Sequence, residues 1–214
     1  MFGNIEQNIV LLRHARAVKN EQNRHGGEGS ELIKGATTKI QVVSNQLLQK
    51  FSTKFNSILY STRTQCKQTA EILNKYLDIE ISELQGLDPI CLGIVDGMSD
   101  DEVTNKYPEI GIQLAKWRNG EIEINQLKIP QMTDCHFFYR KGKTFLEKIT
   151  NSNQSVIIVS SRSILALLAN ILFGNSSQIG GNYREVKWEN LEFASFTKNH
   201  LSKSFHLNIS TLKR

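Results

Sequence analysis

Short apolar runs alternate along the chain with longer segments in which apolar residues recur every three or four positions. The runs at 9–12 and 155–160 are rich in Val, Ile and Leu, which is typical of strands buried on both faces of a parallel sheet. Runs of this kind predict six strands, over 9–12, 56–60, 79–84, 155–160, 193–197 and 205–209. The last two are expected at an edge of the sheet or in antiparallel orientation.

Helical spacing predicts four longer helices between these strands, over 36–51, 63–76, 133–149 and 164–173. Ser61-Thr62 is the candidate N-cap of the second helix, and Thr133 or Asp134 that of the third. Strands that alternate with helices indicate an α/β fold. We therefore expect a three-layer sandwich, with a mostly parallel central sheet and helices on both faces, formed by one domain.

Two segments lie outside this alternation. Residues 16–35 are polar and contain Gly26-Gly27, which predicts a long loop, and loops of that length are usually functional. Residues 97–132 predict short helices, the first of them opened by Ser99 and Glu102 at the spacing of a capping box. We interpret 97–132 as a small helical cap insertion that sets substrate specificity.

Polar and cationic residues follow three of the predicted strands. Arg13-His14 ends the first strand, Ser61 to Arg63 follows the second, and Ser161-Arg162 follows 155–160. The carboxyl ends of parallel strands meet at one edge of a sheet, where ligand crevices form. Helix N-termini and arginines that converge there favour a phosphate group, because both present positive charge and N–H donors.

Composition narrows the function further. The net charge of +5 over 214 residues favours anionic ligands but is spread along the chain, so we expect no nucleic-acid binding. The three cysteines and five histidines do not show the spacing of metal ligands, so we predict no metal site. The chain also lacks a Gly-rich phosphate loop, which argues against a nucleotide cofactor. The longest apolar stretch, 164–173, is too short to cross a membrane, and we expect a cytoplasmic protein.

Four ordered segments resemble the motifs of the histidine phosphatase superfamily, which includes the cofactor-dependent phosphoglycerate mutases. The first is Leu-Leu-Arg-His-Ala at 11–15 with Asn20, and the second is Ser61 with Gln-Thr-Ala-Glu at 68–71. Residues 87–102 are similar to the third motif and 156–170 to the fourth. The resemblance implies that His14 attacks phosphorus and forms a phosphohistidine. It also implies that Arg13 clamps the phosphate and that Asn20 is a neutral contact.

Three positions depart from the family pattern. Gln65 stands where the second arginine is expected, Ser161 where the second histidine is expected, and Pro89 where the usual acidic residue is expected. Either Arg63 and Arg162, each close to a vacated position, replace the missing cations, or the protein binds an anion without turnover and both are exposed arginines at helix starts. Ser61 and Ser161 are expected to line the same pocket.

The general acid is a separate question. Asp88, next to Pro89, is the predicted general acid, with Asp96 as its competitor. His25 could approach the pocket, although a mobile surface histidine is the simpler interpretation.

Three functions remain open from the sequence. The first is an atypical phosphatase that hydrolyses a phosphomonoester through His14. The second is a catalytically silent relative that binds an anion or a protein, and the third is an unrelated flavodoxin-like domain. The expected partner is a small phosphorylated substrate or another anion, with no cofactor, and the oligomeric state is open.

Overall fold

The central sheet has six strands. The computed structural model describes residues 6–51, 55–174 and 188–198, and the backbone of 205–210. The strands are β1 (Gln7–Arg13), β2 (Ser57–Tyr60), β3 (Glu80–Glu83), β4 (Val156–Ser160), β5 (Phe193–Lys198) and β6 (Phe205–Ser210). Their order is β3-β2-β4-β1-β5-β6. Pairing from β3 to β1 is parallel, whereas β5 runs antiparallel to β1 and β6 antiparallel to β5. The mostly parallel sheet and its antiparallel edge are confirmed.

Helices cover both faces of this sheet. The helices are α1 (Val18–Glu21), α2 (Ala36–Lys50), α3 (Thr64–Leu77), α4 (Asp100–Lys106), α5 (Pro108–Arg118), α6 (Cys135–Ser152) and α7 (Arg162–Leu172). Two short 3-10 helices lie at Gly93–Val95 and Ile124–Gln126. The four longer helices lie where the apolar spacing predicts them.

Alternate residues of β1 point into two different cores. Ile9 and Leu11 pack with α6, α7 and much of the 97–132 segment, whereas Val10 and Leu12 pack with α2 and α3. All four side chains are fully buried, as expected for a strand covered on both faces. This arrangement confirms the three-layer α/β fold.

Some local predictions differ from the structure. Neither Ser61 nor Thr62 is the N-cap of α3, because Arg63 holds that position, and the Arg63 side chain makes no capping hydrogen bond. The predicted loop at 16–35 contains the short helix α1. Asp134 caps α6 through its side chain, and the capping box of Ser99 and Glu102 opens α4 as predicted.

The 97–132 segment is tied to the body of the protein at its base. The backbone N–H of Ile94 donates to the Pro130 carbonyl at 3.1 Å, and that of Thr133 donates to Cys91 at 3.0 Å. Gly93 has a φ of +61°, and a Cβ there would lie 2.0 Å from the Pro130 oxygen. Only glycine therefore fits at position 93, where the backbone crosses under the Pro130 carbonyl. Within the described ranges, no helix has the length and apolar character needed to span a membrane.

Candidate active site

A cavity of about 430 Å³ opens at the carboxyl edge of the sheet, where β1 and β4 end and α3 and α7 begin. One side, the sheet wall, consists of Arg13, His14, Arg63, Gln65, Ser161 and Arg162. The second group of lining residues, the outer wall, comes from the loop after β1 and the 97–132 segment and includes Lys19, Asn20, Arg24, His25, Asp100 and Arg118. The volume is typical of sites for small organic ligands.

His14 lies at the base of the sheet wall, with only 4% of its surface exposed. Its backbone N–H donates to Ser160 at 3.1 Å, and its Nδ1 lies 2.8 Å from the Ala15 carbonyl oxygen. A carbonyl can only accept, so Nδ1 carries the proton and Nε2 keeps a lone pair. Burial, followed by the charge of Arg13, lowers the pKa of His14 to about 3. The imidazole is therefore neutral at physiological pH.

The main chain around residues 188–192 fixes Arg13. Its Nη1 donates to the Trp188 carbonyl at 2.5 Å, and its backbone N–H donates to Glu192 at 3.0 Å. Nearby, the Asn190 amide donates to the His14 carbonyl at 3.0 Å. Arg13 and His14 are thus held by backbone bonds on both sides of the strand end.

Gln65, at the position of the expected second arginine, supports a loop. It is 2% exposed, and its Oε1 accepts a hydrogen bond from the Ser30 backbone at 3.0 Å. A Cβ on Gly29 would lie 2.5 Å from the Thr64 nitrogen, so the loop passes tightly over the start of α3. The arginine that this helix brings to the pocket is Arg63.

Ser161 and Arg162 enter the pocket at the start of α7. Ser161 is the N-cap, but its side chain caps no backbone N–H; its Oγ lies 3.3 Å from Ser163 Oγ. The positive end of the helix therefore faces the cavity together with the Arg162 guanidinium. Burial lowers the pKa of both His14 and His25, and the charge of Arg162 adds to the lowering of each.

Lys19 and Asn20 lie in α1 on the outer wall. The Lys19 ammonium donates to the carbonyls of Gly26 and Glu28, and burial together with the nearby Arg63 charge lowers its pKa. The Asn20 Oδ1 accepts from the Ala17 backbone at 2.9 Å, which positions α1.

His25, Asp100 and Arg118 form a linked cluster on the outer wall. Asp100 Oδ1 lies 2.8 Å from His25 Nε2 and 2.9 Å from an Arg118 nitrogen, while Oδ2 accepts from Arg118 at 3.1 Å. Burial alone would raise the pKa of Asp100, but Arg118 and His25 bring it below its usual value. The His25 side chain is only 9% exposed, so its interpretation as a surface histidine is wrong.

The predicted residues Asp88 and Ser61 lie outside the pocket lining. Asp88 is exposed on the loop after β3, and Ser61 is fully buried behind the sheet wall. Both oxygens of its competitor Asp96 accept backbone bonds, from Leu92 at 2.9 Å and from Gly27 at 2.7 Å. Among the residues that the structure describes, the carboxylates in the lining are instead Asp100 and Glu189.

The other predicted site residues, Arg13, His14, Asn20, Arg63, Ser161 and Arg162, do line one pocket. Sequence reasoning missed Lys19, Asp100 and Glu189. Lys19 precedes the motif residue Asn20, which was the available signal, whereas Asp100 and Glu189 reach the pocket only through tertiary packing. In the described parts of the chain, no group of three or more His, Cys, Asp or Glu is placed to hold a metal ion.

A buried thiol lies close behind the pocket. Cys66 on α3 is fully buried in the core shared with α2, whereas Cys91 is exposed. Burial raises the pKa of Cys66 to about 12, against the opposing effects of a Ser61 hydrogen bond and the nearby cations. Cys66 is therefore a thiol rather than a thiolate in the folded protein.

Comparison with known proteins gives a consistent result. The family model described as histidine phosphatase superfamily (branch 1) matches residues 9–199. The uncharacterized phosphatase PhoE of Bacillus subtilis is 26% identical over 187 residues, covering 87% of this chain and 88% of PhoE.

Solved structures share the fold at low identity. The alpha-ribazole phosphatase of Shigella flexneri superposes with a TM-score of 0.72 at 16% identity, covering 95% of both chains. A mycobacterial glucosyl-3-phosphoglycerate phosphatase gives a TM-score of 0.73 at 16% identity, covering 96% of this chain and 98% of its own.

Proposed function

The chain belongs to the histidine phosphatase superfamily, and from this membership we propose that it hydrolyses a phosphomonoester through a phosphohistidine formed on His14. The observation that carries the proposal is the state of this side chain. His14 is neutral, and the bond from Nδ1 to the Ala15 carbonyl leaves the lone pair on Nε2. A buried neutral imidazole with a free lone pair is what nucleophilic attack on phosphorus requires.

In the first step, Nε2 forms a bond to phosphorus while the bond from phosphorus to the ester oxygen breaks, and that oxygen takes up a proton. In the second step, water attacks phosphorus and passes a proton to the group that acted as acid in the first step, while the bond from phosphorus to Nε2 breaks. Phosphate is released and the neutral imidazole is restored. The cations Arg13, Arg63 and Arg162 would stabilise the charge that develops on the phosphoryl oxygens in both steps.

Two carboxyl groups are candidates for the proton donor of the first step. Asp88 is the residue that the sequence predicts, but it is exposed and outside the lining, whereas Glu189 belongs to the lining. Rates of hydrolysis by Asp88→Asn and Glu189→Gln show which of the two residues is the general acid. Loss of the general acid slows hydrolysis of alkyl phosphates far more than that of 4-nitrophenyl phosphate, because the nitrophenolate leaving group needs no proton.

The rate of the proposed reaction depends on cations that replace the two missing phosphate ligands. Loss of one preorganised donor at such a site costs about 10²–10³ in rate, or roughly 3–4 kcal/mol. The chain lacks an arginine at position 65 and a histidine at position 161. Arg63 and Arg162 line the same wall and supply positive charge beside these positions.

A second candidate function follows from the same two positions. Gln65 is engaged by the Ser30 backbone and Ser161 carries no charge, so the sheet wall has lost two phosphate ligands of the family pattern. A catalytically silent protein would keep the cationic pocket and bind an anion without turnover.

The experiment is a screen of phosphomonoesters combined with quenching during turnover. An active enzyme should give an acid-labile, base-stable phosphohistidine, and His14→Ala should lose both the label and at least about 10³-fold in rate. Phosphate binding without a label would support the silent protein. Full activity of His14→Ala would show that the nucleophile is another residue.

A further inference from the structure

Gln65 and Lys19 are joined through a single residue, Ser30. The Gln65 Oε1 accepts a hydrogen bond from the Ser30 backbone N–H at 3.0 Å, and the Ser30 Oγ accepts one from the Lys19 backbone N–H at 3.0 Å. Lys19 and Gln65 both line the cavity that contains His14. Position 65, where the family pattern expects an arginine, is therefore linked through Ser30 to a cation from the loop after β1.

The ammonium of Lys19 is held by the main chain of the same loop. Its Nζ donates to the carbonyl oxygens of Gly26 and Glu28. In the described part of the chain these are its two acceptors, whereas an ammonium has three N–H donors. The remaining donor can bind a ligand in the cavity that Lys19 lines.

The charge of Lys19 is not neutralised by direct contact. Among the residues that the structure describes, no carboxylate oxygen lies within 4.0 Å of its Nζ. Burial, followed by the charge of Arg63, lowers the pKa of Lys19, and the charge of Asp96 opposes this lowering. Asp96 itself accepts from the Gly27 backbone at 2.7 Å and so supports the loop. A partly desolvated ammonium beside an arginine is stabilised when an anion binds both cations.

The charge of Lys19 also acts on the nucleophile. Burial, followed by the charge of Arg13, lowers the pKa of His14 most. The charge of Lys19 adds to this lowering of the pKa, and it does so by more than the charge of Arg162. Shared lining of one cavity and this interaction both indicate that Lys19 serves the same anion as Arg13.

We propose that Lys19 binds the phosphoryl group that His14 attacks and supplies the charge-assisted hydrogen bond that an arginine at position 65 would otherwise give. This inference rests on the proposed function for the identity of the reacting group. Gln65 is then a positioning residue, because it acts on Lys19 through Ser30. Arg63 binds the anion together with Lys19 rather than alone.

The first test is calorimetric titration with inorganic phosphate at low salt. Lys19→Gln should bind phosphate about tenfold more weakly, as loss of one charge-assisted hydrogen bond would give, and Lys19→Arg should restore part of that affinity. Lys34→Gln and Arg140→Gln are the controls, because each removes one positive charge from an exposed residue outside the pocket lining. Both controls should bind phosphate within about twofold of the unmodified protein. Thermal unfolding of each variant shows whether the fold is intact.

The pH dependence of binding separates direct contact from support of the loop. Lys19 is the only lysine in the described lining, the lining arginines stay charged, and the pKa of each lining histidine is lowered. Its neighbours Arg63 and Asp96 keep their charges at alkaline pH, and Cys66, with a pKa of about 12, stays a thiol. A neutral amine still has two N–H groups for the carbonyls of the loop, so deprotonation removes the charge and spares that support.

Phosphate affinity of the unmodified protein should therefore fall by about twofold or more between about pH 8 and about pH 10, because the pKa of Lys19 lies below its usual value of 10.5. Lys19→Arg should show no such fall, since arginine keeps its charge in this range. This comparison uses a conservative variant, so it decides the proposal even if Lys19→Gln does not fold.

Binding within about twofold of the unmodified protein by a folded Lys19→Gln would overturn the proposal. The same alkaline fall in Lys19→Arg, or an equal loss of affinity in Lys34→Gln, would also overturn it. These outcomes are independent of turnover, because inorganic phosphate carries no ester bond. A phosphohistidine label without dependence of binding on Lys19 would support the proposed function and overturn this inference. Dependence on Lys19 without a label would support Lys19 as the anion ligand and overturn the proposed hydrolysis.

Discussion

The two walls of the pocket are built differently. Arg13 and His14 of the sheet wall are at most 8% exposed and are fixed by main-chain hydrogen bonds at the end of β1. Arg24 and Arg118 of the outer wall are 40% and 33% exposed and are held by ion pairs with Glu102 and Asp100. The topology of the sheet thus places Arg13 and His14, whereas side chains of the loop after β1 and of the 97–132 segment place the charges of the outer wall.

The largest effect is expected at the base of the outer wall. Gly93→Ala adds a Cβ 2.0 Å from the Pro130 oxygen at a φ of +61°. We expect a loss of about 3 kcal/mol in the free energy of unfolding, measured by urea denaturation. Gly86→Ala is the control, since Gly86 also has positive φ, at +76°, but nothing within 4 Å. Equal losses for both variants would show that the crossing under Pro130 contributes nothing.

Next in size are the cations of the sheet wall. Arg162→Ala or Arg63→Ala should lower kcat/KM by about 10²-fold, as expected when a donor at the site of charge development is lost. Steady-state kinetics on the best substrate of the screen checks this, with Arg140→Gln as the surface control. Rates equal to those of the unmodified protein in both variants would remove the support for replacement of the missing cations.

The buried imidazole of the sheet wall predicts a pH dependence of stability. The pKa of His14 falls from 6.5 to about 3 on folding, so between these values the unfolded chain binds a proton that the folded chain does not. Stability should therefore fall on acidification through this window. The free energy of unfolding should fall faster for the unmodified protein than for His14→Gln, by up to about 1.4 kcal/mol per pH unit. Parallel stability curves for the two proteins between pH 6 and 4 would contradict it.

The smallest effect should come from the polar cluster of the outer wall. Asp100→Asn weakens the contacts to both His25 and Arg118, and we expect a loss of about 1 kcal/mol because the cluster is partly exposed. Asp101→Asn alters an exposed neighbour and should change stability by less than about 0.5 kcal/mol. A similar loss in both variants would indicate a general charge effect at the start of α4.

The sheet wall could be predicted from the sequence because its determinants are local. The apolar run ending in Arg13-His14 and the run before Ser161 are strands whose period and length define the fold. In a parallel sheet their carboxyl ends must share one edge. The sequence therefore predicts that the side chains that follow these two strands share one pocket.

The outer wall could not be predicted in this way. Its cluster joins residues 25, 100 and 118, which are far apart in the chain and belong to no periodic pattern. The same limit applies to Asp88, whose distance from the pocket depends on the path of an irregular loop. Gln65 and Ser161 were recognised as substitutions, but only the structure shows that Gln65 supports the backbone of Ser30.

The buried thiol of Cys66 can be used to measure how readily the core of the protein opens. A thiol that is fully buried on α3 reacts with an alkylating reagent only when the helix detaches transiently, so its labelling rate reports the free energy of that opening. The exposed Cys91 and the partly exposed Cys135 react first and can both be blocked beforehand. Any ligand that binds the closed pocket should slow the labelling of Cys66 in proportion to its occupancy, so compounds can be ranked without a substrate or a measurable turnover.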